Sequence, residues 1–279
     1  MKFVKMNGAG NDFIIWNNME EKIPVEKFPE IARTVCERHM SIGADGIMAV
    51  DYPDQGGDYK MRFYNSDGSE GEMCGNGARC ICRYGYEFGL AGESQKVETK
   101  AGMVTGIRKS KRLYTIKLND VTTMKLNYNI EVDGKEYECS YVELGNPGLP
   151  HAVVPYPGLK EKSFKELWDI GSKMRYHNAF PKGANINFYE IVGKDEVIEK
   201  TFERGVEDFT YACGTGTGSL VTVLTMQGKV SGQDVKVHVA GGDLFVTVEI
   251  DGNKVKNLYL TGPTNMVAQG EILDEDLNI

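Results

Sequence analysis

Two cysteines, Cys74 and Cys213, open closely similar glycine-rich phrases half a chain apart: Cys74-Gly75-Asn76-Gly77 and Cys213-Gly214-Thr215-Gly216. A thiol followed by small residues that begin a helix is placed for activation. The free amides and the dipole of a helix start favour the thiolate and lower its pKa. Two such thiols can remove a proton from one face of a carbon and return it to the other, which is the chemistry of a racemase or epimerase. The same helix starts offer backbone amides to an anion, and a carboxylate can use them as well as a phosphate. Gly214-Thr215-Gly216-Thr217-Gly218-Ser219 falls short of a dinucleotide fingerprint because Ser219 replaces the last glycine. No strand–helix–strand context with a following acidic residue supports it either.

The elements that must carry these thiols repeat with them. Gly89 and Gly228 each lie fifteen residues after their cysteine, and Ala101-Gly102 and Ala240-Gly241 each begin twenty-seven after. Asn65 and Arg204 each lie nine before, and Gly10-Asn11 is echoed by Gly145-Asn146. Several coincidences in register argue for two copies of one structural unit. Strand patterns flank each cysteine phrase: Met1–Lys5, Phe13–Trp16, Met61–Tyr64, Val97–Thr99 and Tyr114–Leu118, then Ala152–Val154, Ile186–Val192, Val235–Val239 and Leu244–Ile250, with a hairpin turn at Asp251-Gly252-Asn253. Helices are expected over Val25–Arg38, Ala78–Phe88, Ser163–Tyr176 with Ser163 as cap, and Thr217–Gln227, the two central ones stopped by Gly89 and Gly228. The fold class is therefore mixed α/β (α+β) in two pseudo-symmetric domains, residues 1–118 with 263–279 and residues 119–262. The least patterned join lies near Leu118–Lys125.

Composition narrows the function. The 279 residues are 41% apolar and 26% charged, ordinary for a globular chain, and long enough for two cores. A net charge of −8 argues against a nucleic-acid partner. No signal peptide or membrane-length apolar run is expected, so a cytoplasmic setting with reduced thiols is the default. The triplet Cys74, Cys80, Cys82 lacks CxxC spacing and a nearby histidine, so no metal is expected. Cys36, Cys80, Cys82 and Cys139 read as small buried side chains. Asn65 could do no more than cap its turn, Glu203-Arg204 could be a solvated pair, and His39 and His151 read as structural.

The ordered motifs carry a resemblance. Gly10-Asn11-Asp12-Phe13, Gly43-Ala44-Asp45-Gly46, Tyr64-Asn65-Ser66-Asp67-Gly68-Ser69-Glu70 and Cys74-Gly75-Asn76-Gly77-Ala78-Arg79-Cys80 are followed by Gly145-Asn146-Pro147 and Asn185-Ile186-Asn187-Phe188. Glu203-Arg204-Gly205, Ala212-Cys213-Gly214-Thr215-Gly216, Gly241-Gly242 and Thr261-Gly262-Pro263 complete the set. In this order they closely resemble the diaminopimelate epimerases. The resemblance implies two domains, each a mixed sheet wrapped around a central helix. It also implies interconversion of LL- and meso-diaminopimelate, in lysine and peptidoglycan precursor synthesis, without pyridoxal phosphate or any other cofactor, and suggests a homodimer. By the same resemblance Cys74 and Cys213 are base and acid. Gly75, Asn76, Gly214 and Thr215 hold the α-carboxylate, and Asn11 lies near the reacting centre. Asn65, Asn146, Asn185, Glu203 and Arg204 bind the distal amino-acid group. Two stretches depart from the family pattern: Gly148-Leu149-Pro150 precedes His151, and Val206–Tyr211 lengthens the segment before Cys213. They keep open an alternative, a cofactor-independent racemase of another amino acid such as histidine.

Overall fold

The structure, a computed structural model, describes residues 1–71, 73–252, 254–273 and 277. Strands β1 (Lys2–Gly8) and β2 (Asn11–Asn17) lead to a short α1 (Asn18–Glu21) and to α2 (Phe28–Val35). Next come β3 (Gly46–Asp51), β4 (Tyr59–Asn65), β5 (Glu70–Gly71) and α3 (Gly75–Glu87). Strands β6 (Ser94–Thr99), β7 (Gly102–Arg108) and β8 (Leu113–Lys117) follow. The chain continues through β9 (Val121–Val132), β10 (Lys135–Leu144), β11 (Leu149–Pro155) and α4 (Phe164–Arg175). Then come β12 (Asn185–Gly193), β13 (Glu196–Glu203), β14 (Asp208–Phe209) and α5 (Gly214–Met226). It ends with β15 (Val235–Val239), β16 (Gly242–Asp251), β17 (Lys254–Pro263) and β18 (Asn265–Glu271). Two compact units result, residues 1–116 with 262–279 and residues 117–261.

Each unit has the same strand plan. In the first, the order is β18-β1-β2-β3-β4-β6-β7-β8, antiparallel except for the parallel pairs β2–β3 and β4–β6. In the second it is β9-β10-β11-β12-β13-β15-β16-β17, antiparallel except for β11–β12 and β13–β15. The repeat seen in the sequence is thus a repeat of topology. Within it, β4 divides its partners: Tyr59 and Lys60 pair with β6, whereas Phe63 and Tyr64 pair with β5. Strand β13 does likewise, with Glu196–Ile198 on β15 and Phe202–Glu203 on β14. In both places the short strand leads directly into a cysteine and its helix.

The sheets curl around those helices. Helix α3 packs on the neighbours β1 and β2 and on β7, which is far from them in the strand order, and α5 packs on β10, β11, β12 and on the distant β16. On β2 the pleat divides the apolar run between two cores. Phe13 and Ile15 face the cluster with Ile81 and Tyr84 of α3, while Ile14 and Trp16 face the cluster with Phe28 and Ile31 of α2. A strand covered on both faces reads as a continuous apolar run, and Phe-Ile-Ile-Trp does so. In the second unit, Ile186 and Phe188 of β12 turn toward Leu167 and Met174 of α4, leaving Asn185 and Asn187 for the α5 side.

Several boundaries differ from the sequence expectation. Both central helices begin directly after their cysteine rather than three residues later, because Ala78 and Thr217 already bond back to the carbonyls of Cys74 and Cys213 at 2.7 and 2.9 Å. Burial overrides the weak helix propensity of the Gly-x-Gly start. Helix α2 is shorter than expected and is preceded by a 3-10 turn at Val25–Lys27. Ser163 caps α4 in a capping box with Glu166. Residues 121–125, expected to be an unpatterned join, lie in the long strand β9, whose outward side chains are polar and whose inward ones are only half-buried as far as Tyr128. Of the expected turn at Asp251-Gly252-Asn253, Asn253 lies outside the described residues.

Gly85 of α3 gives a direct test of this packing. A Cβ there would stand 2.6 Å from the hydroxyl and 2.7 Å from a ring carbon of Tyr59. That ring is fully buried, and its hydroxyl is held by Gln95 at 2.7 Å and Ile81 at 3.1 Å, so it cannot swing away. Gly85→Ala should therefore lower stability by about 1–3 kcal/mol, read from urea unfolding midpoints with the slope unchanged.

Candidate active site

In the first unit, Cys74 is the N-cap of α3, with extended backbone at φ −120°. It is half-buried, whereas the other five cysteines are buried. The first turn of α3 is tied to a polar chain. Asn76 donates to Asn11 Oδ1 at 2.6 Å, and Asn11 donates to Asp45 at 3.1 Å. Asn76 Oδ1 accepts from Arg79 at 2.7 Å. Asp45 also accepts from the Asp12 amide at 3.1 Å and from Arg38 at 2.9 Å. Burial pushes the Asp12 carboxyl up, but bonds from Arg38 and Lys5 outweigh it and hold this group below the usual carboxylate range. Arg79 is fully buried, and its charge interacts with Cys80, Cys74 and Cys82, placing a positive charge inside the helix that starts at Cys74.

In the second unit, Cys213 is the N-cap of α5, also extended, at φ −112°. Its sulfur lies 3.6 Å from Thr215 Oγ1 and accepts from the Gly216 amide. The helix start was expected to lower its pKa, and the structure reverses that. Burial first, and the charge of Glu203 second, push the thiol well above its usual value, and the bonds from Thr215 and Gly216 do not compensate. Glu203 in turn is pushed up by burial against bonds from Thr210 and Cys213. This corner is a protonated thiol beside a carboxyl, an arrangement suited to donating a proton.

The remaining expected residues divide. Gly75, Asn76, Gly214 and Thr215 occupy the first turns of α3 and α5. Asn65 ends β4 and its amide donates to Ser69 Oγ at 3.0 Å within its own turn. Asn185 is buried and holds the chain: it donates to Pro150 O at 3.0 Å and accepts from the Arg204 amide at 2.8 Å. Arg204 is exposed, with its guanidinium 3.2 Å from Lys182 O. Glu203, expected among the groups for the distal part of the substrate, bonds to the Cys213 thiol. Gly10-Asn11 and Gly145-Asn146 are not equivalent. Ala9 and Gly10 form a two-residue turn with φ of 52° and 95°, which puts Asn11 on a strand. Leu144 pairs with Leu149, so Asn146 sits exposed in a four-residue loop. Of Gly148-Leu149-Pro150, only Gly148 lies in that loop, and Leu149 and Pro150 open β11 opposite Leu144 and Glu143. The lengthened stretch before Cys213 is strapped to the end of α4: Glu207 accepts from Arg175 at 3.0 Å and from the Tyr176 hydroxyl at 2.9 Å.

His39 is exposed in a loop, and His151 is fully buried on β11. Sequence reasoning missed the parts played by Asp45 and Arg79, although both stood inside quoted motifs. It also missed Asn187, Thr201, Thr217 and Glu199, which form a buried polar group beneath α5. The signal for the latter was available: Glu199 and Thr201 alternate with Val197 on a strand face that should be apolar. Among the described residues, no three His, Cys, Asp or Glu side chains gather as a metal set would require. No helix among them is long and apolar enough to cross a membrane.

A family model described as diaminopimelate epimerase matches residues 3–121 and 144–267. The chain is 35% identical over 288 residues to a diaminopimelate epimerase of Aquifex aeolicus, covering 99% of each chain. It is 36% identical over 289 residues to one of Moorella thermoacetica, covering 97% of this chain and 99% of the relative. Among solved structures it resembles a probable proline racemase from Agrobacterium radiobacter, with a TM-score of 0.69 at 13% identity over 99% of this chain and 94% of the other. At that identity the likeness is one of fold.

Burial drives the His151 imidazole down to about 3, the charge of Arg204 adds to this, and a bond from Asn187 opposes it. His151 is therefore neutral in the folded state, while in the unfolded chain it takes up a proton near pH 6.5. Stability from this site is present above about pH 6.5 and is lost as pH falls toward about 3, with a limiting slope of about 1.4 kcal/mol per unit. Urea unfolding at a series of pH values should show that slope in the native chain and a shallower one in His151→Gln.

Proposed function

The chain belongs to the diaminopimelate epimerase family, and from that premise we propose that it interconverts LL- and meso-diaminopimelate with two thiols and no added cofactor. The observation that carries this reading is that each unit places a cysteine at the N-cap of a buried central helix. In one direction the Cys74 thiolate removes the α-proton and the Cys213 thiol delivers its own to the opposite face. The product leaves with inverted configuration, Cys74 holds the proton, and the reverse reaction exchanges the roles. The protonated state favoured at Cys213 supports its part as donor in the first direction, and Glu203 beside it is the group that can help restore its proton.

The α-carboxylate is assigned to the amides of Gly75, Asn76, Gly214 and Thr215, where helix starts suit a negative charge. Asn11, held by Asp45 and Asn76, orients the reacting centre. Arg204 is assigned to the distal carboxylate, whose planar shape suits a guanidinium, together with Asn65 and Asn146, and Asn185 supports it by fixing its backbone. Lysine and peptidoglycan precursor synthesis, a cytoplasmic location and a homodimeric state belong to the same reading and rest on family membership. The relatives do not favour the alternative of a racemase for another amino acid.

The test is α-deuterium incorporation in heavy water, with LL-diaminopimelate offered beside lysine, histidine and glutamate. Diaminopimelate should exchange fastest, and faster exchange of a single-centre amino acid would sink the substrate assignment. Cys74→Ala and Cys213→Ala should each reduce epimerisation by about 100- to 10,000-fold while circular dichroism stays native. Full turnover by either variant would rule out the two-thiol mechanism.

A further inference from the structure

Beneath the first turn of α5 lies a carboxyl that the mechanism above does not use. Glu199 is 1% exposed in the middle of β13. Its Oε2 stands 2.5 Å from Thr217 Oγ1, and Thr217 Oγ1 also stands 3.0 Å from the carbonyl oxygen of Cys213. A hydroxyl has one proton, and here two acceptors compete for it. The second hydroxyl beside Glu199, that of Thr201, lies 3.1 Å from Asn187 Oδ1 and also bonds to Glu199. The amide nitrogen of Asn187 is directed to Ala152 O at 3.1 Å, to Asn185 O at 3.3 Å and to His151 Nδ1 at 3.3 Å. Thr201 therefore supplies the donor that the oxygen of Asn187 needs.

The donor count decides the state of Glu199. The Cys213 carbonyl also accepts from the Thr217 amide at 2.9 Å, so the Thr217 hydroxyl can turn to Glu199. Even then, with Thr201 turned to Asn187, a carboxylate at 199 is a buried anion with a single hydroxyl donor and an Oε1 that meets none among the described residues, which is strongly unfavourable. A carboxylic acid resolves the conflict. It donates from Oε2 to Thr217 and Thr217 donates to the Cys213 carbonyl, while the Oε1 left without a partner carries no charge. Resting on the assignment of Cys213 as a reacting thiol, we propose that Glu199 is a positioning residue that works as a neutral acid. Its proton, passed as a hydrogen bond through Thr217, fixes the helix start that carries Cys213, and loss of that proton puts a negative charge beneath the thiol.

The electrostatics agree with the geometry. Burial raises the Glu199 carboxyl to about 8 against bonds from Thr217 and Thr201, with the charge of Glu203 adding to the rise. The charge of Glu199 is in turn among those that push the Cys213 thiol up. The titratable and charged groups around Glu199 are Glu203 on its own strand, Tyr189 opposite it on β12 with Lys229 at that hydroxyl, His151 on β11 behind Asn187, and Cys213 on the α5 side, and Lys160, Glu196, Lys200 and His238 line a cavity with it. Strand β15 presents the buried Val235 and Val237. His151 is neutral and the Tyr189 phenol is raised by burial, so neither supplies a charge that would stabilise a Glu199 carboxylate.

The test follows the rate of Cys213 alkylation by iodoacetamide, read by mass spectrometry between about pH 6 and pH 10, in Cys74→Ala with and without Glu199→Gln. Glutamine keeps a donor toward Thr217 and cannot ionise. With Glu199 present, the rise in rate with pH should flatten where Glu199 loses its proton. With glutamine the flattening should vanish, and the rate at the alkaline end should be at least about threefold higher, half a pKa unit at the thiol. Superimposable profiles would overturn the proposal. Infrared difference spectra of the native chain between about pH 6 and about pH 10 check the same proton without changing Glu199. A carboxylic-acid carbonyl band that disappears on raising the pH should be present, and should persist in Glu203→Gln. Absence of that band near neutral pH would also overturn the proposal. Neither measurement uses a substrate, so their failure leaves the epimerase reading standing, and failure of that reading leaves them intact.

Discussion

The structure depends on one device used twice: a strand that gives its two ends to different partners. Strands β4 and β13 each pair at the start with a parallel neighbour and at the end with a two-residue strand. At that point the chain leaves the sheet and enters its interior as a helix. A helix inside a curled sheet is surrounded by side chains and cannot leave its first amides to bulk water. Its end must be satisfied by what the sequence places there. A cysteine at the N-cap with glycine behind it leaves those amides available, and in the second unit one of them turns to the thiol itself.

This also explains the electrostatic outcome. A helix start at the surface lowers a thiol pKa, and the same start in the interior competes with desolvation. At Cys213 desolvation wins, with an acidic neighbour adding to it. The polar residues that line the inside of the second unit are arranged around this fact. Asn187, Thr201, Thr217 and Glu199 are joined by hydrogen bonds where an apolar interior would have been simpler to pack.

Much of this was legible in the chain. The cysteine phrases, the equal offsets of Gly89 and Gly228 and the alternating strands were enough to identify two like units with central helices. The strand at Phe13–Trp16 and the cap at Ser163 followed directly from residue types. What could not be read is non-local. Residues 121–125 look unpatterned because β9 is half solvated, and only its pairing with β10 makes it a strand. Asn11 and Asn146 share a dipeptide but not a position, since hairpin length decides whether the asparagine lands on a strand or in a loop. Glu203 is adjacent to Arg204 in sequence, yet alternation along β13 sends it inward to the thiol while Arg204 remains exposed.

The strand orders have a consequence for how the chain is built during synthesis. Every strand of the second unit comes from one unbroken stretch, so that unit can pair internally as soon as residues up to β17 have emerged. The first unit cannot. Its β1 is paired on one side by β2 and on the other by β18, with Lys2 opposite Glu271 and the Ile272 amide bonded to Met1 O at 2.8 Å. Until β18 arrives, β1 is an open sheet edge with unpaired backbone groups, the kind of edge along which chains aggregate. The first strand of this unit is therefore completed by its last. A circular permutant that joins the neighbourhood of residue 272 to residue 1 would turn this late closure into a local hairpin.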